Sequence, residues 1–282
     1  MRDSTGVIGR KAHPPTVAGT AVPGSRPSQV RTPIHRRLLA LAVPLVVLAA
    51  WEASVQAGVV HRLFFPPPSL VFETMLKLLI SGELLGHVLA SLQRVFIGFL
   101  LGAIPGALLG LSMGWSPTVR AAAEPLVSAL YPVPKVALLP MIMLLFGIGD
   151  LSKVIVIAVG AFFPAVINAM TGVVGISPVY FEVASNCGAG RWKTFTRVVI
   201  PGSLPVVFAG LRLALGMALI LVVTAEFVAA RTGVGAMIWQ AWETLRTEKL
   251  YAGVVTWAII GLVSTDLLRR LERRVVRWHR HT

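Results

Sequence analysis

The stretch Gly188-Ala-Gly-Arg-Trp-Lys-Thr194 comes nearest in this sequence to a nucleotide-binding loop. A P-loop requires the spacing Gly-x-x-x-x-Gly-Lys-Ser/Thr, which turns successive backbone N–H groups towards the phosphates. The stretch has the right residue types at the wrong spacing, and the required spacing is absent from all 282 residues. We therefore expect that this chain binds no nucleotide by itself, so that any use of ATP depends on another protein.

Metal binding and catalysis are not indicated either. The histidines lie in tails and loops without the clustered partners of a zinc site, and only His279 and His281 could touch a metal. A solvated tail is the better interpretation of that pair. The acids of the apolar segments are few and form no relay like that of a proton-driven pump. We expect a non-catalytic chain without a catalytic residue, metal or cofactor of its own.

A polar, basic island at residues 177–205, here called the basic loop, separates two long apolar runs. Ser177 and Pro178 can open a helix, because serine caps free N–H groups and proline fits the first helical position. Glycines at the following turn allow the chain to reverse. Glu182 offers one charge for a specific pairing, and small residues at the turn would let a partner approach the backbone closely: Ala184, Ser185, Gly188 and Ala189. The basic loop is therefore the candidate docking surface.

Residues 191–200 can form a second short helix, which we expect to end at Pro201 because proline lacks the N–H and clashes with the preceding turn. The resulting helix, glycine elbow and helix also resemble a helix-turn-helix, so a membrane-anchored DNA-binding regulator is one alternative. A recognition helix needs an independently folded core, however. The short connection between two apolar runs leaves no room for one, and Trp192 and Phe195 would be stranded.

The composition indicates a membrane protein. Hydrophobic residues make up 55% of the chain and charged residues 13%, whereas soluble proteins have about 25% charged residues. Most of the net charge of +14 lies in the first 37 residues, the basic loop and the last 14 residues. Basic patches outside apolar runs are typical of cytoplasmic segments at an anionic membrane surface, which favours this interpretation over nucleic-acid binding. The single Cys187 permits no internal disulfide and suits a reducing compartment.

Residues 1–37 are rich in Pro, Ser, Thr, Gly and Arg, which predicts a disordered basic arm that stays in the cytoplasm. The apolar run at 38–60 exceeds the ~7–15-residue core of a secretory signal, so we interpret it as a retained first span. After it, Ser69 is expected to cap an amphipathic helix on the outer face, where the charges are mixed rather than basic.

The second span is predicted between Arg94 and Arg120, which enclose 25 uncharged residues. That length is enough to cross about 30 Å of hydrocarbon at about 1.5 Å per residue. Glycines recur every four residues along it and form a stripe on one helix face, at positions 98, 102, 106, 110 and 114. Small residues in such a stripe let helices approach closely in membranes. We therefore expect another helix to pack against it.

The third span, residues 124–149, contains four prolines and is predicted to be kinked. Pro134 within it is a candidate residue for a water-lined pathway through the membrane, because freed carbonyls are tolerated only against protein or a water-lined cavity. A simple packing kink is the equal alternative. The fourth span, residues 154–181, has no charge and carries Asn168, a second candidate for the pathway or an interface.

The fifth span runs from Pro205 to about Phe227, with Arg212 near its cytoplasmic end, where its long stem can reach headgroups or the basic loop. Thr224 and Glu226 lie at the other end and complete the pathway candidates. An acid within a membrane suggests function, but we interpret Glu226 as a solvated side chain near the outer interface. A glycine turn and a tryptophan-bearing short helix are predicted at 231–243.

The sixth span, residues 250–268, is followed by a basic tail at 269–282. We therefore predict an all-α, polytopic membrane protein with three parts: the arm at 1–37, a six-span transmembrane domain at 38–268 and the cytoplasmic tail. The positive-inside rule places both ends and the basic loop, which connects the fourth and fifth spans, on the cytoplasmic side.

At the basic loop the sequence resembles the membrane permeases of bacterial ATP-binding cassette importers. Their signature is Glu-Ala-Ala, three residues and Gly, then Ile/Leu-x-x-x-Leu-Pro, and here it reads Glu182-Val183-Ala184, Gly188 and Ile200 to Leu204-Pro205. Val183 is a conservative departure. The nitrate, sulfonate and taurine branch is resembled over about residues 38–278 through shorter motifs: Ser81-Gly-Glu-Leu, Ser91-Leu-Gln-Arg-Val, Phe146-Gly-Ile-Gly, Gly160-Ala-Phe-Phe-Pro and Gly188-Ala-Gly-Arg-Trp.

The resemblance implies a type I importer permease fold in a bacterial inner membrane. It also implies a homodimer of permeases, two cytoplasmic ATPase subunits that bind ATP and Mg²⁺, and an extracytoplasmic solute-binding protein. The basic loop would be the coupling helix. By position, Glu182, Ala184, Gly188 and Ala189 would contact the ATPase, and Arg191 would contact lipid phosphate or the same partner.

The solute follows from the branch resemblance alone, which implies a sulfonate, taurine or nitrate-like anion. A neutral heterocycle is equally compatible with the residues. A secondary transporter is a further alternative, but it predicts embedded ionisable residues and inverted halves, neither of which the sequence shows.

Overall fold

The computed structural model describes residues 34–278, and these residues form helices and turns without a β-strand. The predicted arm at 1–33 and the last four residues of the predicted tail lie outside this part. The chain divides into two compact units at Val47 and Leu48. The contacts described below all lie within the second unit. The predicted all-α fold is confirmed.

The described residues form eleven α-helices in chain order: α1 (Ile34–Gln56), α2 (Pro68–Ile80), α3 (Glu83–Trp115), α4 (Pro117–Leu130), α5 (Leu139–Phe146), α6 (Asp150–Val174), α7 (Pro178–Asn186), α8 (Arg191–Thr194), α9 (Ile200–Ala229), α10 (Val234–Glu243) and α11 (Thr247–Val275). A 3₁₀ turn at Lys135–Leu138 leads into α5. A π-helical turn at Phe195–Val199 joins α8 to α9.

Four helical segments in the described part are long and apolar enough to cross a membrane: Glu83–Trp115, Asp150–Val174, Arg191–Val228 and Thr247–Val275. The pair Pro117–Leu130 and Lys135–Phe146 counts as a fifth if it forms one broken span, and the apolar helix Ala42–Gln56 is shorter. The chain is therefore a multi-pass membrane protein. The count of six spans and the cytoplasmic location of both ends stay predictions.

The predicted glycine interface is confirmed between α3 and α6. A Cβ atom at Gly102 would overlap the backbone carbonyl of Ala158, and one at Gly110 would overlap that of Val166. The same contact recurs at every fourth residue from Gly98 to Gly114, so α3 and α6 run parallel and in register. Side chains would prevent this approach, which is why the stripe consists of glycine.

Helix α9 runs antiparallel to α6 and covers its other side. A Cβ atom at Gly210 would overlap Asn168, and one at Gly172 would lie 3.0 Å from the carbonyl oxygen of Ser203. Helix α6 therefore packs against α3 on one side and α9 on the other, which explains why many of its side chains are buried. These three helices form the centre of the second unit, and α2, α10 and α11 pack around it.

The proline-rich region after α4 is bent by 89° rather than straight, as predicted. The chain turns between Leu130 and Lys135, where the ammonium of the buried Lys135 donates to three backbone carbonyls, those of Leu130 (3.0 Å), Tyr131 (2.6 Å) and Val133 (2.7 Å). A lysine thus satisfies carbonyls that the prolines leave without a helical partner.

Ser69 is not the N-cap of α2, contrary to the prediction. Pro67 holds that position and Pro68 begins the helix. The Ser69 backbone N–H and hydroxyl instead donate to the carboxylate of Glu52 in α1, at 3.0 and 2.8 Å. An acid in the first apolar run thus acts as an acceptor for the start of the next helix, and this long-range contact competes with local capping.

Candidate functional site

The basic loop lies at the end of the bundle where α3 terminates and α9 begins. The ring of Trp115, the last residue of α3, lies 6.3 Å from the ring of Phe181 and 5.9 Å from that of Phe195. Helix α7 and the π-helical turn therefore both contact Trp115 of the bundle. Such contacts add about 0.5–1.5 kcal/mol per pair beyond the buried area. These ring contacts attach the loop to the end of α3.

The turn after α7 has the conformation that its glycine predicted. Gly188 adopts φ +67°, the left-handed region that favours glycine. The N–H of Ala189 donates to the carbonyl of Ala184 at 2.9 Å, and the N–H of Gly188 donates to that of Ser185 at 2.9 Å. These bonds satisfy carbonyls at the end of α7.

The predicted docking residues fall on different sides of the loop. Glu182, Gly188 and Arg191 are exposed and Ala189 is half-buried, whereas Ala184 is only 9% exposed. The exposed surface also contains large apolar side chains that the sequence interpretation did not select: Val179, Tyr180, Val183 and Trp192. No contact shown here tests whether any of these residues docks a partner, so that role stays a prediction.

The second helix of the basic loop does not end at Pro201, so that prediction was wrong. Helix α8 continues through the π-helical turn into α9 and forms one helical segment from Arg191 to Val228. Pro201 lies in the first turn of α9, directly after the wider π turn, where a missing N–H is tolerated. This continuity removes the free recognition helix that the DNA-binding alternative requires.

Five residues at the opposite end of the bundle form a polar group, here called the Arg94 cluster: Ser91, Arg94 and Glu226, which are buried, and Asp150 and Thr232, which are exposed. The Arg94 guanidinium donates to Glu226 Oε1 at 2.6 Å and to Asp150 Oδ1 at 2.9 Å. It also donates to the backbone carbonyl of Thr232 at 2.6 Å and to the Thr232 hydroxyl at 3.0 Å. One side chain therefore joins α3, α6, α9 and the turn before α10.

The carboxylate of Glu226 is fully satisfied inside the protein. Besides Arg94, it accepts hydrogen bonds from the Ser91 hydroxyl at 2.8 and 2.9 Å and from the Gly235 N–H at 2.9 Å. Its side chain is 0% exposed and that of Arg94 6% exposed. The interpretation of Glu226 as a solvated acid was therefore wrong, because Arg94, 132 residues earlier, encloses it.

Two glycines make room for this carboxylate. Gly233 has φ +122°, and a Cβ there would overlap the Glu226 carboxylate. A Cβ at Gly235 would lie 2.8 Å from Glu226 Cβ. The turn predicted from Arg231-Thr-Gly-Val-Gly is thus confirmed, but its glycines serve close approach as well as turning. Two glycines that follow an intramembrane acid closely in the sequence were the signal that could have indicated a buried carboxylate.

The other predicted pathway residues are dispersed. Pro134 is exposed and precedes the 3₁₀ turn. Asn168 donates to the carbonyl of Pro164 at 2.8 Å within α6, next to Gly210 of α9, and the Thr224 hydroxyl donates to the carbonyl of Ile220 at 2.9 Å within α9. Arg212 forms an ion pair with Glu272 of α11, so its side chain is directed towards α11 and not the basic loop. The four pathway candidates, Pro134, Asn168, Thr224 and Glu226, therefore lie on three different elements, which are the turn before α5, α6 and α9.

No group of three or more His, Cys, Asp or Glu side chains within the described residues is arranged to hold a metal ion. The acids of the Arg94 cluster instead bind arginine, hydroxyl and backbone donors. The arrangement therefore has the properties of an internal latch between helices, since its charges are paired with one another.

Comparison with known proteins identifies one family whose sequence profile matches residues 95–277, described as "Binding-protein-dependent transport system inner membrane component". The chain is 36% identical over 238 residues to SsuC of Bacillus subtilis, named for aliphatic sulfonates transport, with coverage of 84% of this chain and 86% of SsuC. It is 34% identical over 261 residues to the taurine transport permease TauC of Escherichia coli, with coverage of 90% and 95%.

A relative with a different named solute is equally similar. The riboflavin transport permease RibX of Chloroflexus aurantiacus is 36% identical over 242 residues, with coverage of 85% of this chain and 90% of RibX. Among solved structures, a bacterial ABC transporter involved in the import of alginate matches with a TM-score of 0.59, at 18% identity, over 86% of this chain and 97% of that one. This structural likeness supports the fold.

Proposed function

Because the chain belongs to the binding-protein-dependent transport system inner membrane components, a family of ABC importer permeases, we propose that it forms the translocation pathway of an importer driven by ATP hydrolysis in partner ATPase subunits. The observation that carries the proposal is the exposed, anchored basic loop at the start of a membrane-crossing helix. The partners would be two ATPase subunits, a second copy of this chain and an extracytoplasmic solute-binding protein in the inner membrane of a bacterium.

The proposed docking surface is the solvent-exposed side of α7 and the turn after it. Val179 and Val183 are 59% and 54% exposed, and they flank the exposed carboxylate of Glu182. Apolar side chains of this size at a surface outside the hydrocarbon are typical of protein interfaces. Glu182 supplies a charge at their centre, and Gly188 leaves the backbone open to close approach.

Movement of the docked loop would pass directly into α9. The part of the loop from Arg191 onwards is continuous with α9 in one helical segment, and Glu226 near the far end of that segment is bound to Arg94 of α3. A helix transmits displacement along its axis because its backbone hydrogen bonds resist stretching. We propose that ATP-driven tilting of the loop acts on the Arg94 cluster, so that the two ends of the bundle open alternately.

The solute proposed is a small organic sulfonate, taurine or a nitrate-like anion. The names of SsuC and TauC support it, whereas RibX at a similar identity supports a heterocycle. Reconstitution with the ATPase and the solute-binding protein distinguishes them. The binding protein loaded with taurine, an aliphatic sulfonate, nitrate or riboflavin is added in turn, and the ligand that stimulates ATP hydrolysis identifies the class.

The docking proposal is tested with Glu182→Lys in the same reconstituted system. We expect the reversed charge to weaken co-purification of the ATPase and to reduce solute-stimulated ATP hydrolysis. Glu73→Lys is the matched control, because Glu73 is an exposed acid on α2, away from the basic loop. Equal ATPase binding and hydrolysis for Glu182→Lys, Glu73→Lys and the wild type would show that the outer side of α7 does not dock the ATPase.

A further inference from the structure

An arginine-lined cavity of about 410 Å³ lies between α9 and the basic end of α11. Its lining consists of Arg212, Asp266, Arg269, Glu272 and Arg273. Residues 250–265 of α11 contain no charge, so Asp266 and Arg269 stand where the apolar run ends. In a membrane-crossing helix this is the depth of the lipid headgroups.

A second, mainly apolar groove of about 680 Å³ continues from the arginine cavity along the same two helices. Asp266 and Arg269 line both, and the remaining walls are Leu219, Ala258, Gly261, Leu262 and Thr265. Nothing lies within 4 Å of the position that a Cβ of Gly261 would occupy, so the groove is open there. A charged cavity and an apolar groove thus meet end to end.

The cavity is lined by more cationic than anionic side chains. Arg212 is paired with Glu272, and Asp266 accepts a hydrogen bond from Arg270 at 2.6 Å. Arg269 and Arg273 are exposed and have no ion pair with any of residues 34–278. Both acids of the cavity therefore have cationic partners, while two guanidinium groups remain directed to solvent. Arginine binds phosphate oxygens through paired N–H donors.

We propose that this continuous site binds one anionic phospholipid. Its phosphate lies against Arg269 and Arg273, and one acyl chain follows the groove past Gly261 and Leu262. The combination selects a lipid over a free anion, because a phosphate ion alone would leave the apolar groove uncovered. The Arg212–Glu272 ion pair connects α9 to α11 within the same cavity. A lipid bound there would contact both α9, which continues from the basic loop, and α11, the last span. The proposal requires a membrane location and is independent of the solute transported.

The test is binding of a fluorescent phosphatidylglycerol to the purified, delipidated full-length chain in detergent. Arg269→Gln/Arg273→Gln is compared with Arg274→Gln/Arg277→Gln, which removes the same charge from the same helix end but from residues that do not line the cavity. We expect about tenfold weaker binding or more for the first pair, and a change of less than about twofold for the control, which lies outside the site. Equal losses in both pairs would reduce the effect to general surface charge and overturn the proposal.

The groove is tested separately with Gly261→Leu, which fills it and leaves every arginine in place. We expect binding to weaken while the thermal transition of the protein stays close to that of the wild type. Unlabelled phosphatidylglycerol should compete, and phosphatidylcholine and inorganic phosphate should not. Competition by equimolar inorganic phosphate would indicate a simple anion site. Disulfide formation between two copies of a Leu262→Cys, Cys187→Ser chain, together with absent lipid binding, would show that a second copy covers the groove. Either result would overturn the proposal.

Discussion

The Arg94 guanidinium donates to Asp150 Oδ1 at 2.9 Å across a separation of 56 residues, and the same separation relates each glycine of α3 to the α6 carbonyl that it meets. Gly98 lies opposite Val154, Gly102 opposite Ala158 and Gly114 opposite Met170. The Arg94–Asp150 ion pair therefore has the same register as the glycine contacts and extends the interface by one helical turn. Helices α3 and α6 form one parallel interface, which we expect to move as a unit.

Substitution within the glycine row should destabilise the protein in proportion to crowding. Gly102→Ala places a Cβ on the Ala158 carbonyl, and overpacking of this kind costs about 1–3 kcal/mol. Gly86→Ala is the control on the same helix, since nothing lies within 4 Å of its Cβ position and alanine favours a helix by about 0.5–1 kcal/mol. Thermal unfolding in detergent should show a lower Tm for the first and an unchanged or higher Tm for the second. Equal Tm values would contradict the close contact.

Removal of both members of the buried pair Arg94–Glu226 should cost less than the sum of the two single removals. Arg94→Met or Glu226→Gln leaves the partner with an unmatched buried charge or donor, and such single changes cost about 3–5 kcal/mol. The double variant Arg94→Met/Glu226→Gln removes both charges. A double-mutant cycle on unfolding free energy should give a coupling of about 1–3 kcal/mol. Strict additivity of the two single effects would show that the pair does not act as a unit.

The same variants should alter transport in a way that simple instability does not. If the Arg94 cluster connects α9 to α3, then without it movement of the basic loop no longer displaces the opposite end of the bundle. We then expect ATP hydrolysis in the reconstituted transporter to continue with less dependence on the loaded binding protein. The ratio of stimulated to basal hydrolysis measures this coupling. An unchanged ratio in a variant that still folds would leave the cluster with a structural role only.

Gly233 should be less tolerant than another glycine with positive φ. Gly233→Ala combines backbone strain at φ +122° with overlap of the Glu226 carboxylate. Gly58→Ala has strain alone, because φ is +73° and nothing lies within 4 Å. Strain of this kind costs about 1–3 kcal/mol, so the Tm decrease should be clearly larger for Gly233→Ala. Similar decreases would show that the carboxylate relaxes away from the turn.

Cys187 is a natural probe for the sidedness of the basic loop. It is the only cysteine of the chain and is exposed. A membrane-impermeant maleimide should label it in inverted vesicles and not in right-side-out vesicles or intact spheroplasts, because we expect the loop to be cytoplasmic. Addition of the ATPase subunit should slow the labelling. Labelling from the outside would reverse the proposed topology.

Much of the architecture was readable from local patterns. Apolar runs long enough to cross a membrane, the glycine stripe, the proline break after α4 and the turn at Gly188 each follow from one segment of sequence. The polarity of a lipid bilayer makes such signals strong, since backbone groups within it require helical hydrogen bonds. The docking residues were proposed from resemblance, and burial then separated Ala184 from the exposed Glu182.

The remaining features depend on ion pairs between residues that are far apart in the sequence. The sequence alone determined an all-α membrane chain with a basic loop between apolar runs, because composition, spacing and hydrophobic run length are local properties. It could not show that Glu226 is buried, since its partner Arg94 lies 132 residues away, nor that Arg212 meets Glu272. Only the tertiary structure brings these charges together, because the energy of a buried ion depends on which partners the packing places within hydrogen-bonding distance.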